Sequence, residues 1–476
     1  MSTDTARRPL YKRIGPGLIT ACVVIGPGSI TTSSSIGANA GYSKLWVVIV
    51  SVIFMQVYMT MGARLGAVAA NAPGDLIREK AGKWLAVLVG GSVFFISAAF
   101  QFGNNLGVAA AFQAFSSDTT LLTGLVIGFN ALAISFLFAF KNLYQMLERA
   151  MMAFVALMLI SFAINLFNLS PSLPDMAAGF VPTATTIDLT TLGLVGTTFV
   201  ITAAFYQAYL VRQKGWKVAE MRDGLIDARI GSVIMALITI MLMSTAAAGL
   251  HDGTEVKLGS PVDVAKALQA TFGTSAKTIF CLGLFSAAYS SFLVNSMIGG
   301  FMAADGLGLG SKPSDLWPRL LTTLALLTGM GVGLATILFG FNPAPAIIAA
   351  QAVTVVAAPL VAGVLLWLTS RRDIMGDQVN TPVTTTFAGL GLVLLLAMAG
   401  KTAFSDIPKK IDALRNPPPA AQAESPAEAT DEDSAASSEG ITDVSPAEAE
   451  TESTPTSDDG AEPSTPNGDK PSTPEE

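Results

Sequence analysis

Apolar and polar positions alternate along this chain on the scale of whole segments. Long apolar runs cover about 14–40, 44–63, 84–111, 121–140, 149–169, 192–211, 226–249, 277–301, 319–338, 345–368 and 383–403. Each is long enough to cross the roughly 30 Å hydrocarbon layer as a helix, so the pattern predicts an all-α polytopic membrane protein with eleven spans. Two runs are interrupted. The first carries Gly26-Pro27-Gly28 at mid-depth, followed by Ser29 and by Thr31 to Ser35. The sixth carries the β-branched, small and polar stretch Thr197 to Gln207. Backbone groups freed by such breaks are tolerated in a membrane only inside protein or along a wet cavity. Breaks five spans apart are the pattern of two five-helix inverted repeats with a substrate site between them.

Charge orients the bundle. Nineteen Lys and Arg fall before the first span and in alternate connections, among them Arg13, Arg64, Lys83, Arg212, Lys214, Arg319 and Arg371. The connections on the other side hold only Lys44, Lys257, Lys266 and Lys277. That bias places the N-terminus in the cytoplasm and the chain's end outside. The expected organisation is a cytoplasmic segment 1–13, a transporter core 14–403 and a tail 404–476; the repeats are about 14–169 and 192–368, with the eleventh helix added. From Asn416 onward there are sixteen acidic residues and one Lys. Such a composition cannot bury enough apolar surface to offset its ordering entropy. It also accounts for the net charge of −7, which says nothing about the core.

The chemistry expected at the breaks is that of neutral oxygen. Neither interrupted segment contains an acid, and the single histidine, His251, lies in a connection and reads as solvated. Cys22 and Cys281 lie in apolar runs, with no metal-ligand spacing. No cluster of acid, base and nucleophile supports an enzyme. Gln101, Asn104, Asn105, Asn165 and Asn295 read mainly as interhelical hydrogen-bond donors. Arg212, Lys214 and Lys217 read as a membrane-surface anchor. Asp223 and Asp227 flank the start of the seventh span, where a carboxylate suits a helix N-terminus.

The run Lys12-Arg13-Ile14-Gly15-Pro16-Gly17-Leu18 and the later Gly26-Pro27-Gly28-Ser29 resemble the start of the Nramp family of divalent-metal transporters. Gly283 to Ser291 in the eighth span and Ala350-Gln351-Ala352-Val353-Thr354 in the tenth resemble that family too. The likeness covers about 12–403. It implies a LeuT-type 5+5 inverted repeat with helices 1 and 6 broken. The departures lie where the family binds its ion. Its Asp-Pro-Gly-Asn reads Gly26-Pro27-Gly28-Ser29 here. Its Met-Pro-His falls on Val200-Ile201-Thr202 or one residue later, and its span-three acids fall on Ala98 and Gln101. These changes resemble the Nramp-related magnesium transporters.

The resemblance implies a transported-ion site at Val23, Gly26, Ser29, Thr197, Val200, Thr202 and Gln351. It lacks the thioether that favours softer metals and the carboxylate that helps strip water. Mg²⁺ gives up water reluctantly, so the expected cargo is largely hydrated Mg²⁺, with Mn²⁺ as a second candidate. The absence of a buried acid or histidine in the spans argues for uptake by alternating access without proton coupling. No cofactor is expected, since Mg²⁺ is cargo. The expected partners are the cation and the lipid bilayer of the cell membrane, with no nucleic acid, around a monomer. The competing reading is a transporter of a small organic solute such as an amino acid or amine. A receptor that kept the fold and lost the site is a third.

Overall fold

A computed structural model describes residues 13–140, 142–183, 189–340 and 344–415. Of the tail expected from 404, residues up to 415 are described and Ile407–Arg415 is helical, while the acidic stretch from 416 lies outside them. The first apolar run forms two helices, α1 (Pro16–Val24) and α2 (Pro27–Ala40), bent by 61°. Then come α3 (Leu45–Val68), the short α4 (Pro73–Ala81), α5 (Lys83–Gln113), α6 (Thr119–Ala139), α7 (Leu143–Asn168) and the short α8 (Leu173–Gly179). The sixth run is split into α9 (Leu189–Thr198) and α10 (Ile201–Lys214). They are followed by α11 (Met221–Leu250), α12 (Pro261–Leu307), α13 (Leu316–Phe339), α14 (Ala344–Thr369), the short α15 (Arg372–Met375), α16 (Pro382–Lys401) and α17 (Ile407–Arg415). Among the described residues nine helices are long and apolar enough to cross a membrane, and the bent pair α1–α2 adds a tenth. With α14, five spans precede the α7–α9 connection, five follow it, and α16 is the eleventh.

One element is longer than its apolar run. The run 277–301 becomes α12, which starts at Pro261. Ser260 caps that start by accepting from the Asp263 amide, while the Asp263 carboxylate accepts from the Ser260 amide at 2.8 Å. This reciprocal box satisfies donors that an open helix end would leave free. The helix then turns at Gly273, whose φ of +82° is open to glycine and unfavourable for other residues.

The core is built around α12 and α11. Helix α12 packs along α5, α13 and α7, and α11 packs against α1, α2 and α3. Phe285, Tyr289 and Phe292 form a stack along α12, meeting Phe129 of α6 and Phe154 of α7. Small residues bring α1 onto α11: a Cβ on Gly17 would strike the Asp227 carbonyl, and one on Gly231 would strike the Gly17 carbonyl. Backbone-to-backbone approach of this kind is how membrane helices gain packing without a hydrophobic driving force. Large apolar side chains such as Phe95, Leu132 and Val393 point outward, where hydrocarbon surrounds them.

Candidate functional site

The break in the first span is stabilised by serines. Helix α1 ends at Val24, Ile25 leaves helical geometry, Gly26 is extended, and Pro27 restarts the chain as α2 without an N–H to satisfy. A helix end leaves its last carbonyls without partners, and here three hydroxyls take them. Ser290 donates to the Cys22 carbonyl at 3.5 Å, Ser291 to that of Val23 at 3.3 Å, and Ser29 to that of Val24 at 2.7 Å.

The second break is at Phe199 and Val200, between α9 and α10. The Val200 carbonyl accepts from the amides of Ala203 and Ala204, which starts α10. Ser29 joins the two breaks, since its hydroxyl also lies 3.3 Å from the Thr197 carbonyl.

Of the residues expected at the site, the structure therefore brings Val23, Gly26, Ser29 and Thr197 to one place. Val23, Ser29 and Thr202 are buried, while Thr197 and Val200 are half-buried. Gln351 lies within α14, and its side chain falls outside the described residues. Two further groups stand beside the first break: Asn104, read from the sequence mainly as a helix-to-helix donor, and Ser291 of the eighth-span motif. A Cβ on Gly26 would sit 3.1 Å from the Ser291 hydroxyl and 3.6 Å from the Asn104 side-chain oxygen. Ser291 and Asn104 thus face the place where the resembling family carries aspartate. The lining is oxygen throughout and uncharged. Among the described residues no group of three or more His, Cys, Asp or Glu could hold a metal ion.

On α5 it is Gln101 that donates to another helix, while Asn104 donates within α5 and Asn105 accepts from α6. Gln101 donates to the Phe292 carbonyl at 2.6 Å, Asn104 donates to the Gln101 side chain, and Asn130 of α6 donates to Asn105 at 2.6 Å. Asn295 donates to the Ser97 carbonyl at 3.0 Å. His251 is exposed, but its Nδ1 is 2.8 Å from the Ala38 carbonyl. The histidine therefore holds the α11–α12 connection to the end of α2 instead of standing free in solvent.

The expectation that the spans hold no buried acid is corrected. Asp227 of α11 is wholly buried and Asp305 of α12 is 1% exposed. Both serve helix starts of the form Pro-Gly. Asp227 accepts from the amides of Gly15 and Gly17 at 2.6 and 2.5 Å, at the start of α1. Asp305 accepts from the Gly74 amide at 2.6 Å, at the start of α4, and from the Tyr209 hydroxyl at 2.6 Å. Each carboxylate faces the free amides at the positive end of a helix dipole. Neither lies between the two breaks.

Two cations of the basic run, Arg212 and Lys214 in the last turn of α10, are bonded to protein groups. Arg212 donates to the carbonyls of Ala69 and Ala70, and Lys214 to the Ile14 carbonyl and the Glu148 carboxylate at 2.6 and 2.7 Å. Arg13 pairs with Asp223 at 2.7 Å. Around Gly15 the space of a side chain is taken by Lys214 Nζ, Glu148 Oε1 and Tyr144 Oη, all within 2.9 Å of where a Cβ would be. Helix α1 is therefore locked at the end of the bundle carrying the basic loops, and all nine of its residues are buried. Helix α2 differs. Gly28 and Asn39 are exposed, and Thr31, Thr32 and Ser35 are half-buried, so one polar face of α2 is open.

Comparison with known proteins adds a family and a fold. The family described as natural resistance-associated macrophage protein-like (Nramp) matches residues 17–405. A divalent metal cation transporter, MntH, of Deinococcus radiodurans is 26% identical over 406 residues, covering 83% of this chain and 89% of that protein. Its counterpart of Mycobacterium leprae is 24% identical over 415 residues, covering 83% and 92%. Among solved structures, the manganese transporter of Eremococcus coleocola superposes with a TM-score of 0.73 at 18% identity, covering 87% of this chain and 89% of that one. The protein MhsT, solved with L-phenylalanine, superposes with a TM-score of 0.53 at 15% identity, covering 85% and 98%. The fold is therefore LeuT-like.

Proposed function

Because this chain belongs to the Nramp family, we propose that it is a multi-pass transporter of the cell membrane that carries divalent metal cations, and that its cargo is largely hydrated Mg²⁺. The observation that carries this reading is the neutral oxygen lining where the two breaks meet at Ser29. A small divalent ion stripped of its water needs charged ligands in return, and Mg²⁺ keeps several waters in most protein sites. Hydroxyls, amides and backbone carbonyls suit an ion that arrives with much of its shell. With no sulfur among these groups, the site has no preference for a softer transition metal. Thr202 at the start of α10 and Gln351 on α14 complete the proposed lining.

The open face of α2 and the buried, locked α1 correspond to a state that faces outward. Release inward then requires α1 to leave Asp227, and the residues just before it to leave Lys214 and Asp223. We place the N-terminus in the cytoplasm and the acidic tail outside, on the charge bias of the connections. No proton needs to move. Asp227 and Asp305 are occupied at helix starts, away from the route between the breaks. Two positive charges moving inward gain about 4.6 kcal/mol per 100 mV, twice the single-charge value.

The test is flux into proteoliposomes under an inside-negative potential, with a Mg²⁺-sensitive dye and a pH dye in parallel. The expected result is saturable Mg²⁺ entry without acidification, reduced about tenfold in Ser29→Ala, which corresponds to about 1.4 kcal/mol. Acidification during entry would refute the uncoupled mechanism. Entry of Mn²⁺ but not Mg²⁺ would refute the cargo, and an absence of any divalent flux from folded protein would favour an organic solute.

A further inference from the structure

An open apolar groove of about 500 Å³ runs along α14 where it meets the first turns of α5 and the middle of α16. Its floor is Pro359 and Gly363, one turn apart, and Leu85 and Leu392 stand on either side. A Cβ on Gly363 would meet nothing within 4 Å, so the floor is empty rather than tightly packed. From Pro359 to Trp367 the groove follows eight residues of helix, about 12 Å. One leaflet of hydrocarbon is close to that depth, about 15 Å. The groove therefore runs from the bilayer middle to one surface.

At that surface the lining ends in charge. Lys80, Lys83, Arg371 and Arg372 stand near the Trp367 end, together with Glu79, Asp373 and Asp377. Lys80 is held by Glu79 and Asp373 at 2.8 and 3.3 Å. Arg371 is held by Asp373 at 2.9 Å and lies 5.3 Å from the centre of the Trp367 ring. Lys83 and Arg372 are exposed and have no ion pair among the described residues. Beside Lys83, Trp84 is 69% exposed, as expected of an aromatic residue at headgroup level.

We propose that this groove binds one anionic phospholipid of the leaflet on the side of the basic loops, with an acyl chain over Gly363 and the phosphate facing Lys83 and Arg372. The length of the groove selects a chain from one leaflet. The excess of one positive charge in this cluster, with Lys83 and Arg372 outside any ion pair among the described residues, selects a net negative headgroup. This binding is independent of which cation is transported.

The test is native mass spectrometry of the full chain in detergent, incubated with an equimolar mixture of dioleoyl phosphatidylglycerol and dioleoyl phosphatidylcholine. One phosphatidylglycerol per chain should be retained under activation that strips phosphatidylcholine. The double variant Lys83→Ala, Arg372→Ala should lose that preference at least tenfold, and Gly363→Phe should lose the retained phosphatidylglycerol. Equal retention of the two lipids by the natural chain, or unchanged retention by a folded Gly363→Phe, would overturn the proposal. Should Gly363→Phe not fold, quenching by brominated phosphatidylglycerol provides a second measurement. Quenching should exceed that by the brominated choline lipid in the natural chain, and Trp367→Phe should remove the excess. An unchanged excess would overturn the proposal as well.

Discussion

Ser29 has one proton to donate and two carbonyls within reach, those of Val24 and Thr197. An ion entering between the breaks meets hydroxyls and carbonyls already bonded to one another, so binding exchanges one neutral oxygen contact for another. Weak attachment follows, and it suits an abundant cation better than a scarce one. The position that most affects this balance is Gly26, whose missing side chain faces Ser291 and Asn104. Gly26→Asp should fit after a shift of a few tenths of an ångström by the Ser291 side chain. It would add a charged ligand that helps strip water. The expected outcome is Mn²⁺ binding strengthened at least tenfold, by about 1.4 kcal/mol, with slower Mg²⁺ turnover. Isothermal titration of the detergent-solubilised protein measures the first and liposome flux the second. Unchanged Mn²⁺ affinity would mean that Gly26 does not face the ion.

At the scale of elements, the lock on α1 is the arrangement most open to test. Asp227→Asn keeps the shape but removes the charge and turns one acceptor into a donor aimed at a backbone amide. Losing a hydrogen bond to a charged group costs about 1.5–3 kcal/mol, so α1 should leave its seat more often. Cys22, on α1 and wholly buried, is a natural reporter. In a Cys281→Ser background, Asp227→Asn should speed alkylation of Cys22 by N-ethylmaleimide at least tenfold; an unchanged rate would remove Asp227 from the lock.

This lock also shows where reading the chain stopped short. The spans and the first break were legible, because apolar length and Gly-Pro-Gly are local signals. The caps were not: Ser290 and Ser291 are more than 260 residues from the carbonyls they satisfy. Asp227 reads from the sequence as a carboxylate at the start of its own span and Asp305 carries no local signal; only tertiary packing shows that each seats a distant Pro-Gly start. The bonds of Lys214 were not legible for the same reason, since its partners Glu148 and Ile14 lie on other elements. The second break was placed within Thr197 to Gln207, but β-branched residues alone could not show that it falls at Phe199 and Val200.

For the whole molecule, the acidic tail carries the net negative charge while the family match ends at residue 405. Ending the chain after Arg415 should therefore leave Mg²⁺ flux within about twofold, a change of about 0.4 kcal/mol at most. A larger loss in liposome assays would assign the tail a part in transport.

The bundle's moving and fixed parts follow from the two buried aspartates. Helix α10 reaches Asp305 through the Tyr209 hydroxyl at 2.6 Å, while its Gln207 meets Thr20 of α1 at 2.6 Å. Helix α1 is tied to Asp227 of α11 through Gly15 and Gly17, and to α10 through Thr20 with Gln207 and through Lys214 at the Ile14 carbonyl. Moving α1 would break its bonds to α10 and α11, while the bond between Tyr209 of α10 and Asp305 of α12 would stay. The two broken spans, alike in having a break, are thus mechanically unequal. In the proposed transport cycle α10 is the stator and α1 the rotor, turning where helical geometry ends at Ile25 and Gly26.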